Sequence, residues 1–545
     1  MIAETFQPPE PTNEPARPYA PGDPDRLTLM DEIRRLEKTT VEAPCVIDGE
    51  EVRTGATFEQ RAPHRHDLHL ADVHSAEEAT VLKAIEAARK AKPEWESHTP
   101  AERAAVFLRA AELLATTRRD LINASTMLGQ SKTVQQAEID AACELIDFLR
   151  FNVSYYAEIL AEQPRINPAG VWNRLDYRPL EGFVLAITPF NFTAIAGNLP
   201  TAPALCGNTV VWKPSEKQAI SAHFFMQVLQ EAGLPPGVIN LVHGDGGLVS
   251  RVCFDQPDFG GLHFTGSLAV FRSLWAAIGG SIDKYQSFPR VVGETGGKDF
   301  VIAHPSAAVD GLTTALVRGA FEYQGQKCSA ASRAYIPANL WPDLRDRLVD
   351  TTASLRMGDV ADFSNFMGAV IEEKAFRRHA TWLERAKSDP DLSVLVGGAV
   401  DGSEGWFVQP TVIETSDPRH EIMETELFGP ILTIYPYPEG AWEETLDLVN
   451  TTSPYGLTGS VFAEDRTAVE TAARRLRNAA GNFYVNDKPT GSIVGQQPFG
   501  GARASGTNDK AGSKLNLLRW LSVRSIKETM VPPTDHTYPH MRPEL

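Results

Sequence analysis

Between Gly182 and Trp212 the chain carries no charged side chain, yet it holds three prolines and three asparagines. An uncharged run of this length either crosses a bilayer or lies inside a protein core. Pro189 and Asn191 interrupt it after the apolar segment 183–187, and Asn198, Pro200, Pro203 and Asn208 interrupt it again before 209–213. The run therefore reads as strand, turn, helix, strand rather than as one long helix. Short apolar strands separated by a helix pair in parallel, with both faces covered. The pattern continues with strands at 238–242 and 262–264 and helices at 217–232 and 268–278. A second alternating region spans about 301–480, with strands at 300–303, 333–336 and 461–463 and a helix at 465–478. Two α/β units follow, and ligands of such sheets bind at the carboxyl ends of the strands.

The N-terminal part reads differently. Residues 1–25 are acidic and rich in proline, which favours an extended arm. Ser75 with Glu78, and Thr99 with Glu102 behind Pro100, are capping boxes that open helices to about 92 and 114. Apolar residues at helical spacing predict a third helix over 131–151.

Composition narrows the function. A length of 545 residues implies two or three domains. The net charge of −18 repels phosphate backbones, which argues against a nucleic-acid partner. Five scattered cysteines form neither a disulfide framework nor a zinc pattern, so a reducing compartment fits. The N-terminus has neither the apolar core of a signal peptide nor the basic character of a transit peptide, so the cytoplasm is expected. His64, His66, His69 and His74 match no metal-ligand spacing and read as a solvated strand, with no metal site expected.

Chemistry concentrates in a few turns. Cys328 follows Gly325, Gln326 and Lys327 and precedes Ser329. Most free cysteines are small buried hydrophobes, which suits Cys143, Cys206 and Cys253. In a polar turn, where Lys327 would favour a thiolate, a nucleophile is the alternative. Glu294, between Gly293 and the Thr295-Gly296-Gly297 turn, is either a surface charge or a general base near a ligand. Lys213 to Glu216 ends a strand and is either a charged turn or the place where a carboxylate meets the hydroxyls of an adenosine ribose. In the second case Glu216 would repel a 2′-phosphate and favour NAD over NADP. Gly266 and Ser267 also end a strand and open a helix, a place for a pyrophosphate. The usual Gly-x-Gly-x-x-Gly fingerprint is missing.

Six motifs together resemble the aldehyde dehydrogenase superfamily over nearly the whole chain. They contain Asn191, Lys213 with Glu216, Gly266 with Ser267, Glu294 with Lys298, Cys328, and Glu426 with Phe428. Residues 486–510 are similar to one branch of it, the 1-pyrroline-5-carboxylate dehydrogenases, which oxidise L-glutamate γ-semialdehyde in proline breakdown. The segment 511–516 departs from that branch and bears on oligomer contacts more than on chemistry.

The resemblance implies a Rossmann-type NAD-binding domain at 51–163 and 183–292, behind an N-terminal arm at 1–50. It also implies a catalytic α/β domain at 293–486 and a substrate anchor loop with its return segment at 487–510. A β-flap oligomerisation element would combine 164–182 with 511–545. Cys328 would be the nucleophile, Glu294 the base for the hydrolytic water, and Asn191 with the Cys328 N–H the oxyanion hole. Lys213, Glu216, Gly266, Ser267, Glu426 and Phe428 would hold NAD. Phe192, Ser329, Gly491, Ser492 and Phe499 would hold the substrate. A homodimer or higher assembly, no membrane contact and a separate proline dehydrogenase complete the expectation. Dehydrogenation of another acidic semialdehyde and a non-enzymatic role on the same fold are the rival readings.

Overall fold

The computed structural model describes residues 6–543. Its first large sheet has seven strands. Arg290–Glu294, Phe259–Thr265, Phe183–Ile187, Thr209–Lys213 and Ile239–Leu241 lie side by side in parallel, and the antiparallel pair Cys45–Ile47 and Glu50–Val52 completes the edge. The uncharged run of the sequence supplies the two central strands and the helix Thr193–Leu205 between them. Alternate residues explain why no charge is tolerated there. Phe183, Leu185 and Val211 face one core with the helices Glu78–Ser97, Gly246–Phe254 and Leu268–Gly280. Val184, Ala186, Val210 and Trp212 face another, with Thr193–Leu205 and Ala219–Glu231. Each fully buried Val or Leu in such a strand contributes about 1.5–3 kcal/mol.

Two prolines lie inside Thr193–Leu205. Pro203 has no N–H for the Leu199 carbonyl four residues earlier. That carbonyl is met instead by His263 Nδ1 on the neighbouring strand at 2.9 Å. The neutral imidazole is the form suited to this site, since burial pushes the His263 pKa down to about 3.

The second sheet also has seven strands, in the order Leu392–Val396, Thr411–Thr415, Ile431–Tyr437, Ala331–Pro337, Asp299–Ala303, Thr458–Phe462 and Asn482–Val485. All neighbours are parallel except the first pair. Its two faces pack separate cores, Phe300 and Ile302 on one side, Val301 and Ala303 on the other. The chain changes sheet between Glu294 and Asp299. In the first sheet the strand order reverses between Phe183–Ile187 and Phe259–Thr265, which is the switch point where a crevice opens.

Several elements differ from the sequence expectation. The first sheet already begins at Cys45, before the expected end of the arm at 50. Beyond the irregular segment 6–23 the chain is helical over Pro24–Glu37, opened by Asp23 as cap and Pro24. The Thr99 capping box forms with Glu102, but Ser75 caps nothing. Ser75 bridges to His243, and the helix starts at Glu78. The third helix starts at Val134 and runs to Ala161, with a π-helical turn at Glu138–Glu144. Val171–Pro179 pairs with Leu521–Thr529 over nine residues in a two-stranded ribbon. Among the described residues, no helix is long and apolar enough to cross a membrane.

Candidate active site

Cys328 stands three residues before the strand Ala331–Pro337. The loop leading to it is left-handed at Tyr323 (φ 53°), Gln324 (φ 53°) and Gly325 (φ 65°). Glycine is required at 325, because a Cβ there would collide with the Gly429 carbonyl. The strained Gln324 is held by its side chain. Its Nε2 donates to the carbonyls of Ser131 (2.9 Å) and Ala369 (2.7 Å), and its Oε1 accepts from the Gly368 N–H (3.0 Å). Gln326 Oε1 accepts from the Ile371 N–H at 2.8 Å. The cysteine is therefore carried on a loop fixed from several sides.

Asn191 reaches this loop from the switch point of the first sheet. It is buried, and its Nδ2 donates to the Gln326 carbonyl at 3.1 Å. An amide nitrogen has two N–H groups, so one remains for a ligand. The next residues are fixed by a carboxylate that the sequence reading gave no role. Asp140 accepts from the N–H groups of Thr193 (2.9 Å) and Ala194 (2.8 Å) and so caps Thr193–Leu205. The π-helical turn Glu138–Glu144 carries it there. Lys132, also buried, donates to Asp140 at 2.6 Å. Its ammonium lies 4.2 Å from the Phe192 ring centre and 4.5 Å from that of Tyr323.

The electrostatics correct one expectation. Burial, then the carboxylates of Asp299, Glu294 and Glu426, push the Cys328 thiol well above its ordinary pKa. Lys327 does not favour a thiolate, because its ammonium is paired with Glu322 at 3.1 Å. At neutral pH the Cys328 side chain therefore rests as a thiol.

Glu294 ends the strand Arg290–Glu294. One of its carboxylate oxygens is buried without a partner. Burial pushes its pKa well up, while the Gly501 N–H and Lys510 pull the other way. A carboxyl group of this kind, with a free oxygen, is suited to take a proton from water. Glu426 accepts from the Gly297 N–H at 2.9 Å and occupies the space where a side chain on Gly296 would sit. Burial raises its pKa to about 7, against Gly297, Lys298 and Arg378. Phe428 meets the ring of Phe190 edge-on at 5.8 Å.

One cavity of about 560 Å³ is lined by Cys328, Ser329, Phe192, Gly491, Ser492 and Phe499. The structure thus brings the candidate nucleophile together with all five residues expected to hold a substrate. Ser329 Oγ shares a hydrogen bond with Thr490 Oγ1 at 2.8 Å. Arg318, Glu144 and Lys488 also reach the wall and had no sequence role. Burial, with Asp140 nearby, raises the Glu144 pKa to about 8.

The remaining candidates stand apart from this cavity, along the carboxyl edge of the first sheet. Lys213 is buried, and burial holds its amine below its ordinary pKa while Glu216 and Asp245 oppose. Glu216 is exposed in a groove shared with Asp245. Ser267 caps Leu268–Gly280 by accepting from the Val270 N–H at 3.4 Å, and the Gly266 N–H donates to the Glu294 carbonyl at 3.1 Å. A lysine, an exposed carboxylate and the N-terminus of a long helix, all at one sheet edge, fit the adenosine ribose and the pyrophosphate of a dinucleotide.

The histidines are not a solvated strand. His64 and His74 are buried, His74 lies 3.2 Å from Glu42, and His66 packs on Trp406 with ring centres 4.1 Å apart. Among the described residues no cluster of three or more His, Cys, Asp or Glu side chains forms a metal cage.

Residues 51–526 match the aldehyde dehydrogenase family. The mitochondrial delta-1-pyrroline-5-carboxylate dehydrogenase of Dictyostelium discoideum is 52% identical over 535 residues, covering 98% of this chain and 96% of that protein. The mitochondrial enzyme of the same name from Homo sapiens is 48% identical over 531 residues, covering 97% and 94%. The crystal structure of the Delta-pyrroline-5-carboxylate dehydrogenase from Mycobacterium tuberculosis bound with NAD superposes with a TM-score of 0.96. Its identity is 56%, and the match covers 99% of this chain and 100% of that one.

Proposed function

The chain belongs to the aldehyde dehydrogenase family, and from that premise we propose that it oxidises L-glutamate γ-semialdehyde, the open form of 1-pyrroline-5-carboxylate, to L-glutamate with NAD⁺. The observation that carries the reading is the single cavity in which Cys328 faces Ser329, Gly491 and Ser492 between Phe192 and Phe499. A substrate with an aldehyde at one end and an amino-acid head at the other needs a nucleophile, apolar walls and hydrogen-bond donors in that order. Without donors, desolvating the carboxylate of the head would be costly.

The chemistry follows from the residues. Cys328 Sγ gives its proton to solvent and adds to the aldehyde carbon, giving a thiohemiacetal whose oxygen carries the charge. The oxygen that gains charge is held by the Asn191 amide and the Cys328 N–H. Losing one such donor typically lowers the rate by about 10²–10³. NAD⁺, when bound, accepts the hydride that leaves the same carbon. Cys328 then carries a thioester. Glu294 takes a proton from a water whose oxygen attacks the thioester carbon, and the C–S bond breaks to release glutamate and the thiol. Ser329, Gly491 and Ser492 hold the substrate carboxylate, and Phe192 and Phe499 flank the methylenes. Lys213, Glu216, Gly266 and Ser267 hold the adenosine and pyrophosphate, with Glu426 and Phe428 at the nicotinamide ribose.

The five cysteines are all unpaired, which supports a reducing compartment, and we read it as the cytoplasm. A homodimer follows if a second copy covers the ribbon of Val171–Pro179 and Leu521–Thr529, where Trp172 and Val523 are exposed. The test of the activity is NADH formation across semialdehydes of different chain length, with NADP⁺ as competitor. Glutamate semialdehyde gives the highest kcat/KM. A better shorter or longer acidic semialdehyde would replace the substrate, and an NADP⁺ preference would overturn the role of Glu216.

A further inference from the structure

The segment 6–23 has no regular secondary structure, yet its polar contacts reach far along the chain. Asn13 is the centre of them. Its Nδ2 donates to Asp147 Oδ2 and to the Val494 carbonyl, both at 2.7 Å, and its Oδ1 accepts from Gln496 Nε2 at 3.0 Å. Both N–H groups and the carbonyl of one amide are thus used. The next residue fixes the segment in place. The Glu14 N–H donates to Asp147 Oδ1 at 2.7 Å, and the Glu14 carboxylate lies between Arg119 (2.5 Å) and Arg150 (2.7 Å). The Pro15 carbonyl accepts from Arg119 at 3.0 Å.

The other partner in this contact is the loop that leads away from the cavity. Gly491 and Ser492 line the cavity, and Val494 and Gln496 follow within four residues. Beneath them the helix Leu145–Ala161 supplies a packed floor. Val494 is buried in the same core as Phe148, and a Cβ on Gly495 would collide with the Phe151 ring. From the far side, the segment ties the same stretch to Asp147 of that helix. The loop is therefore held between a helix and a strap some 480 residues away in sequence.

We propose that Asn13 is a positioning residue for the loop carrying Gly491 and Ser492, and that the N-terminal segment sets affinity for the amino-acid head of the substrate. This rests on the reading that these two residues hold the substrate carboxylate. A strap that only stabilised the fold would affect every substrate alike. A strap that positions this loop affects only substrates that use it.

The test is steady-state kinetics of Asn13→Ala and Asn13→Asp, with thermal melts to confirm folding. Glutamate semialdehyde is compared with propanal, which lacks the head, and Ser492→Pro, which removes one backbone N–H of the loop, reads the anchor itself. The expected result is a KM for glutamate semialdehyde raised about tenfold, the size of one hydrogen bond to a charged group. The kcat, the KM for NAD⁺ and propanal turnover stay within about twofold, on the same scale of a few tenths of a kcal/mol. Amide exchange across 493–497 becomes faster. An unchanged semialdehyde KM, or an equal loss on both aldehydes, overturns the proposal. If Ser492→Pro also leaves the semialdehyde KM unchanged, the anchor reading has failed as well. If only the Asn13 variants raise it, the strap stands and the carboxylate is held by other atoms of the loop.

Discussion

Replacing Asp140 by alanine tests how Asn191, the proposed oxyanion donor, is held in place. The Asp140 carboxylate accepts two backbone N–H groups and one ammonium, all within 2.9 Å and all buried. Losing a helix cap costs about 1 kcal/mol. Leaving the buried Lys132 without its partner costs about 3–5 kcal/mol more. Lys132 limits that cost by giving up its proton, because burial already lowers its pKa. A loss of about 4 kcal/mol in local stability is therefore expected, roughly a thousandfold in an opening equilibrium. A chain with two sheets and a separate core on each face of each does not unfold in one step, so the assay is amide exchange at Thr193 and Ala194, whose N–H groups bond the carboxylate. Asp140→Ala exchanges there about 10³ times faster, and kcat falls because Asn191 stands two residues before the cap. Adding Lys132→Met removes the unpaired charge and returns about half of the lost protection. Exchange within tenfold of wild type would refute the capping argument. Equal exchange in the single and double variants would refute the pairing.

Two further outcomes follow from the electrostatics. Alkylation of Cys328 by iodoacetamide in the free enzyme should be slow at pH 7 and still rising with pH above about 9, the ordinary thiol range, because burial and three carboxylates raise the thiol pKa. A rate already level at neutral pH would contradict it. Glu426 titrates near pH 7. Its folded pKa lies above its unfolded one, so its contribution to stability falls as pH rises from the ordinary carboxylate range through about 7. Over the same upper range the ionised group becomes a better acceptor for ribose hydroxyls. The KM for NAD⁺ therefore decreases as pH rises through about 7, and Glu426→Gln flattens that profile.

The four central strands of the first sheet were legible because they are short apolar runs buried on both faces, whereas only three of the seven strands of the second sheet could be read, those at Asp299–Ala303, Ala331–Pro337 and Thr458–Phe462. The uncharged run from Gly182 to Trp212 could be divided by its prolines and asparagines alone. Boundaries were less visible. Ser75 has the right spacing for a cap, but its backbone joins His243 instead. Cys328, Ser329, Gly491, Ser492, Phe192 and Phe499 are spread over more than 300 residues, and it was the motif resemblance, not periodicity, that grouped them before the cavity did. Lys132 and Asp140 were given no role because a charged residue among apolar ones at helical spacing reads as part of the solvated face, and only tertiary packing buries it. The same holds for Asn13, an ordinary polar residue in a proline-rich arm until its three partners are seen. Lys327 was misjudged for a related reason. Its neighbour in sequence is the cysteine, but its partner in space is Glu322.

The central claim is that glutamate semialdehyde becomes covalently attached to Cys328 and that Glu294 delivers the water that frees it. The most direct measurement is mass spectrometry of the Glu294→Gln variant, acid-quenched after mixing with substrate and NAD⁺. A burst of NADH of about one equivalent per chain is expected, as a stalled thioester requires. A glutamyl adduct is expected on the peptide containing Cys328, absent when NAD⁺ is omitted or when Cys328→Ala is combined. Full turnover without an adduct, or an adduct on another residue, would contradict it.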